Sequence, residues 1–328
     1  MTSATPASSN PTMRVVSQDT FGDSSVLRVV DVPKPSPKPT EILVKVRAAG
    51  TNPVDYKTRE GTGMAGVLGS PPFVLGWDVA GVVEEIGFGV TTFQVGDEVY
   101  GMPWFPRAAG GYGEYVTAPS RQFAPKPVSI SFEQAAAVPL AALTAWQAIV
   151  DTARVRHGQR VLITAGAGGV GHLAVQIARS LGAEVITTAS ERNHAWLKEL
   201  GATTVIDYNA VRFEDEVADL DVVIDLAGEA QDRTSTRSLK TLRPGGLLVS
   251  VPGGVSPGLA EAGQQQGVRV TGILVEPDGE ALRRIGTLID DGSIHVEVEQ
   301  VLPLEDAAKA HDAAQSGHTR GKIVLSLA

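Results

Sequence analysis

The segment Ala165-Gly166-Ala167-Gly168-Gly169-Val170-Gly171 limits what this chain can fold into more than any other. It follows Arg160 to Thr164, a short apolar run that reads as a buried strand, and it leads into Val170 to Leu181, whose apolar spacing reads as a helix. In that setting Gly166-x-Gly168-x-x-Gly171 is the turn from a parallel strand into a helix. The first glycine permits the tight turn, the second lets backbone approach a pyrophosphate, and the third lets helix lie on strand. The N–H groups at the helix start then face the anion. A glycine-rich turn without a ligand is the bland alternative. A further strand on schedule, Glu184 to Thr188, favours a dinucleotide site built on Gly166, Gly168, Gly169, Val170 and Gly171.

Strand and helix go on alternating after this loop. His194 to Leu200 reads as a helix, and Val205 to Ile206, Asp221 to Leu226, Leu247 to Val251 and Val268 to Leu274 read as strands, which together predict a doubly wound parallel sheet. The chain has 328 residues, more than one hydrophobic core usually supports, so a second domain is expected. Its material lies upstream, where short β-branched runs such as Glu41 to Val46 and Val79 to Ile86 are punctuated by glycine and proline, and the proline-rich stretch Val32 to Pro39 reads as an exposed connection. Ser131 can cap a helix that runs on to about Ala153. Beyond Pro277, two helices (Glu280 to Asp290, Leu304 to Gln315) and a strand (Lys322 to Leu327) are too few for a third domain. They are expected to return to the first domain or brace the second. The expected division is a disordered tail over 1–12, a strand-rich domain over 13–139 and 277–328, and a cofactor domain over 140–276.

The end of the second strand of such a sheet selects the dinucleotide, since an acidic side chain there binds the ribose 2′-OH of NAD and repels a 2′-phosphate. Here Val185 to Thr188 runs into Ala189-Ser190-Glu191-Arg192. The acid position falls on Ala189, with the Ser190 hydroxyl and the Arg192 guanidinium beside it, which favours NADPH. A register one residue longer would make Glu191 the ribose acid, and Arg192 would then be a solvated charge at a helix start.

Several function classes drop out on composition. There is no cysteine, so disulfides, thiol catalysis and thiolate zinc sites are absent. The net charge of −9 opposes a nucleic-acid partner. No apolar run of about 18 residues suggests a membrane span, and the Ser/Thr/Pro/Ala-rich start has no leader pattern, so a cytoplasmic location is expected.

Gly50 to Lys57 (GTNPVDYK), Leu75 to Val83 (LGWDVAGVV), Val95 to Val99 (VGDEV), Gly113-Glu114-Tyr115, Leu143 to Trp146 (LTAW), Leu242 to Gly246 (LRPGG) and Gly317 to Lys322 (GHTRGK) occur in family order. Together with the glycine loop they resemble the zinc-independent branch of the medium-chain dehydrogenases/reductases, and they are similar to zeta-crystallin-like quinone oxidoreductases and enone oxidoreductases. The likeness implies an α/β protein, a strand-rich GroES-like catalytic domain beside a Rossmann NADPH domain, and a homodimer. Zinc-dependent relatives would carry a cysteine near Thr51 or Asn52 and a His-Glu pair near Trp77-Asp78. The six histidines of this chain lie scattered, without ligand spacing.

By this resemblance Asn52, Tyr56 and Lys57 stand at the mouth of the nicotinamide cleft, Thr144 near its nicotinamide end, and Tyr208 at the adenosine phosphate. Gly253 and Gly254 pass the nicotinamide, and Arg320 or Lys322 approaches the cofactor. Plainer alternatives stand beside these readings: Tyr56 as packing, Arg320 as the partner of a carboxylate, and Asp55 and Asp78 as groups that serve loop hydrogen bonds. The aromatic loop Met102 to Pro106, with Gly110 to Tyr112, either covers an acceptor pocket or packs. The implied reaction is NADPH-dependent reduction of a small conjugated acceptor, a quinone or the C=C bond of an α,β-unsaturated ketone or aldehyde, with no metal. The rival readings are a carbonyl or alcohol dehydrogenase and a non-catalytic NADPH-binding or RNA-binding protein.

Overall fold

The computed structural model describes residues 11–327, arranged around three sheets. Of the expected tail, residues 1–10 lie outside the described residues. Thr12 does not belong to a tail, because it opens the strand Thr12–Gln18, whose Met13, Val15 and Val16 are buried.

The parallel sheet has six strands. In spatial order they are Thr204–Ile206, Glu184–Thr188, Arg160–Ile163, Leu220–Asp225, Leu242–Ser250 and Arg269–Gly272. Chain order reverses between Arg160–Ile163 and Leu220–Asp225, so a crevice opens beyond the carboxyl ends of those two strands, where ligands of doubly wound sheets bind. The middles of the central strands are apolar, with Val161, Leu162, Ile163, Val223 and Ile224 all fully buried, as strands covered on both faces must be.

Strands from both ends of the chain build the other large sheet. Its path runs Val298–Pro303, Lys322–Ser326, Glu41–Gly50, Asp78–Ile86, Glu98–Gly101 and Phe123–Pro125, and Tyr115–Pro119 pairs with Glu41–Gly50. Thr12–Gln18 forms a small third sheet with Arg28–Pro33 and Phe73–Val74. The C-terminal strands thus join the N-terminal ones, with Val324 opposite Gly50.

The helix expected from Ser131 to Ala153 is three pieces. Ser131 does cap, accepting the Gln134 N–H at 3.2 Å, but Phe132–Ala136 ends there because Pro139 has no N–H to give and disfavours a helical residue before it. A second helix, Pro139–Trp146, passes into a π-helical turn, Gln147–Thr152. No helix among the described residues is long and apolar enough to cross a membrane.

Candidate active site at the glycine loop and Lys322

The glycine loop is shaped by contacts that leave no room for side chains. A Cβ on Gly166 would lie 2.0 Å from Thr187 Oγ1, and one on Gly171 would lie 2.2 Å from the Ala165 carbonyl oxygen. At Gly168 the nearest atom would be 3.4 Å away, so that backbone is open to a ligand. Ala165 takes φ 53°, and its N–H donates to Thr188 Oγ1 at 3.0 Å. The helix Gly171–Ser180 begins directly after Val170. Burial drives the His172 imidazole down to about 4, so the ring is neutral; it bonds the Gly168 carbonyl at 3.0 Å and accepts the Glu297 N–H at 3.4 Å. Gly321 N–H donates to the Ala167 carbonyl at 3.0 Å, so the C-terminal segment is laced onto the loop.

A cleft of about 390 Å³ opens beside the loop, lined among others by Gly168, Ala189, Ser190, Arg192, Tyr208 and His318. Glu191 is not on its wall. Ala189 is buried, Tyr208 is 57% exposed, and the exposed Arg192 guanidinium donates to the His318 carbonyl at 2.8 Å. The cleft therefore offers a cation and a hydroxyl where the ribose acid of an NAD site would stand. A hollow of equal volume between Ser131 and Val301 includes none of the glycine loop.

The other half of the site is a buried polar cluster centred on Asp78. One of its carboxylate oxygens accepts Asn52 Nδ2 at 2.9 Å, and the other accepts the Leu140 N–H at 2.7 Å, fixing the start of the helix that carries Thr144. The Lys322 ammonium donates to the Thr51 carbonyl at 2.8 Å and to Asn52 Oδ1, and lies 3.5 Å from Asp78. Burial lifts the Asp78 carboxyl and lowers the Lys322 ammonium, each opposed by the other's charge. The stem of Lys322 packs on the glycine loop, where a Cβ on Gly169 would lie 2.9 Å from its Cδ. One side chain thus joins the dinucleotide loop to Asn52.

The remaining candidates divide. Thr144 is buried, and its hydroxyl donates to the Leu140 carbonyl at 2.7 Å, which leaves its oxygen free to accept. Tyr56 is half-buried and Lys57 exposed on the helix Pro53–Arg59, and among the described residues the Lys57 ammonium has no hydrogen-bond or ion-pair partner. Gly253 and Gly254 follow the strand Leu242–Ser250 in left-handed conformations, φ 77° and 65°. Arg320 is engaged by Glu297 and stacks over Trp196 at 5.0 Å, so the plainer alternative describes its contacts. The loop at Met102 packs, since Met102, Phe105 and Tyr112 are buried and Trp104 Nε1 donates to the Thr117 carbonyl at 2.7 Å.

Three family models match parts of the chain: Alcohol dehydrogenase GroES-like domain over 38–128, Alanine dehydrogenase/PNT, C-terminal domain over 139–255, and Zinc-binding dehydrogenase over 200–325. Among solved structures, the quinone oxidoreductase of Coxiella burnetii superposes with a TM-score of 0.91 at 39% identity, covering 97% of this chain and 100% of that one. The 2-methylene-furan-3-one reductase of Solanum lycopersicum is 33% identical over 95% of this chain and 79% of its own length. The chloroplastic NADPH-dependent alkenal/one oxidoreductase of Arabidopsis thaliana is 33% identical over 93% of this chain and 77% of its own.

The chain belongs to the medium-chain dehydrogenase/reductase family.

Where zinc-dependent members of the family carry their cysteine and His-Glu pair, this member places Asn52 and Asp78 beside the Lys322 ammonium. Among the described residues no group of three or more His, Asp or Glu side chains is placed to hold a metal ion. Sequence reasoning passed over the central part played by Asp78 and the buried residues Arg59, Tyr112 and His311. The available signal was a charged residue inside an otherwise apolar motif, Trp77-Asp78-Val79.

Proposed function

We propose that this chain is an NADPH-dependent reductase of conjugated acceptors, quinones or α,β-unsaturated ketones and aldehydes, working without metal as a cytoplasmic homodimer. The observation that carries the reading is Lys322, whose stem packs on the dinucleotide loop at Gly169 while its ammonium holds Asn52. The loop fits a pyrophosphate, because Gly168 is open where a side chain would block it. Ser190, Arg192 and Tyr208 would hold the adenosine phosphate, and Thr144, Gly253 and Gly254 the nicotinamide end. Bound NADPH supplies a hydride.

The chain's own task is to orient the acceptor, exclude water and stabilise negative charge on the acceptor oxygen. Asn52 gives one amide proton to Asp78 and keeps the other. Lys57 adds an exposed ammonium. Burial and the nearby Glu60 and Asp55 carboxylates raise the Tyr56 phenol, so its Oη keeps a proton to deliver. With no thiolate in the chain and a lysine ammonium inside the Asn52–Asp78 cluster, a saturated carbonyl lacks the Lewis acid it would need. A conjugated acceptor spreads the arriving charge onto oxygen.

A panel of acceptors tests this, with NADPH oxidation as readout and a strong chelator present. Quinones or enones should turn over, and ethanol or isopropanol should not be oxidised with NADP+. Brisk alcohol oxidation abolished by the chelator would assign the chain to the alcohol dehydrogenases instead.

Cofactor choice has its own test. Arg192→Ala should weaken NADPH binding by roughly 1 to 3 kcal/mol, about fivefold to 150-fold, and leave NADH binding unchanged. Titration of intrinsic fluorescence with each cofactor measures this. Equal losses for both would mean that Arg192 does not meet the 2′-phosphate.

A further inference from the structure

A second buried network runs behind the Asn52 cluster and contributes no group to the cleft. Arg59, 1% exposed, donates from Nε to the Gly22 carbonyl at 3.1 Å and from Nη2 to Glu60 at 2.7 Å and Gln315 at 3.0 Å. Its Nη1 lies 3.2 Å from His311 Nδ1. His311 Nε2 lies 3.2 Å from the Tyr112 hydroxyl, and that hydroxyl lies 3.0 Å from Asp55 Oδ2. The same oxygen accepts the Asn52 backbone N–H at 2.7 Å.

Chemistry gives this chain a single direction. A guanidinium only donates, so His311 Nδ1 must accept and the ring proton sits on Nε2. Nε2–H then donates to the Tyr112 oxygen, which leaves the Tyr112 proton free only to go forward to Asp55. Burial and the Arg59 charge hold the imidazole down at about 3, so the ring stays neutral and the direction persists at physiological pH. Asp55 Oδ2 thus collects two donors, while its buried Oδ1 has no partner. Such an arrangement is costly to bury and does not serve packing alone.

We propose that Arg59, His311, Tyr112 and Asp55 are positioning residues for the reaction, a one-way hydrogen-bond chain that holds the Asn52 peptide, and through it the Asn52 amide, in its working orientation. The proposal rests on the reading of Asn52 as a group at the reacting end of the cleft. A carboxylate holding a peptide N–H binds it more strongly as an anion than as an acid. Desolvation lifts the Asp55 carboxyl to about 7, against the Tyr112 and Asn52 hydrogen bonds that favour the anion. The charged and titratable groups around it are Asp78 and Lys322 from the facing strands, Tyr112 with His311 behind it, and Tyr56, Arg59 and Glu60 on its own helix. Lys322 and Arg59 favour the anion, and Asp78 and Glu60 oppose it.

The experiment compares the full-length protein with Tyr112→Phe and Asp55→Asn, each checked for folding by thermal melting. It reads the pH profile of kcat and, separately, the infrared carboxylic-acid band of Asp55, which needs no turnover. The unaltered protein should lose kcat as the pH falls through about 7, in step with the appearance of the band. In Tyr112→Phe both should move up by about one pH unit or more, because the anion has lost a donor. Asp55→Asn should lack the band and the acid limb. If Tyr112→Phe does not fold, His311→Gln takes its place, with the same direction of shift expected. A limb that stays put in the Tyr112 variant, or survives in Asp55→Asn, overturns the proposal. Absence of turnover with any acceptor would instead count against the reductase reading, and the infrared titration would still decide whether Tyr112 controls Asp55.

Discussion

Replacing Lys322 by methionine is expected to lower folding stability by about 3 to 5 kcal/mol, the cost of removing one partner from a buried ion pair. Asp78 would keep the Asn52 and Leu140 donors but lose the Lys322 ammonium beside it, and it is fully buried. The loss should grow with pH. Burial already raises the Asp78 carboxyl in the fold, and Lys322 opposes that shift. Without Lys322 the folded chain holds a proton that the unfolded chain releases, so stability falls as pH rises above the ordinary carboxylate range. Chemical denaturation at two pH values measures both effects. In an Asp78→Asn background Lys322→Met should cost clearly less. Equal costs in the two backgrounds would show that the charges do not sense each other. Cofactor binding should weaken as well, because the lysine stem is the surface against Gly169.

Lys57→Met is expected to lower kcat tenfold to a thousandfold, about 1.4 to 4 kcal/mol of barrier, with NADPH affinity nearly unchanged. The ammonium is exposed on the helix Pro53–Arg59, and no carboxylate among the described residues holds it, so stability should hardly respond. Steady-state kinetics with a fixed conjugated acceptor checks this. An unaltered kcat would make Lys57 a surface charge and leave the Tyr56 phenol or the Asn52 amide as the donor.

The parallel sheet was legible because its signal is local: the three glycines of the loop sit between one apolar strand and one helix, and strand and helix go on alternating after it. The choice between Ala189 and Glu191 also came out of local spacing, since the residue at the strand end is the one that faces the cleft. The polar centre was not legible in the same way. Arg59 and His311 meet across 252 residues, and Asp78 accepts the N–H of Leu140, 62 residues later, so no spacing rule reaches them. Asp55 had a faint trace, three positions after Asn52 at the start of a helix, which is where a capping carboxylate sits. Lys322 was picked as a cofactor residue, but its ammonium serves Asn52 and Thr51 while only its stem meets the loop. The helix expected through Ala153 was read as one unbroken element because the run of alanines outweighed Pro139, whose missing N–H breaks it.

Tracing the hydride tests the account most directly. NADPH carrying deuterium at the nicotinamide C4 is incubated with an enone, and the product is examined by NMR. The account predicts the saturated ketone with deuterium on the β-carbon. Deuterium on the carbonyl carbon of an allylic alcohol would contradict it.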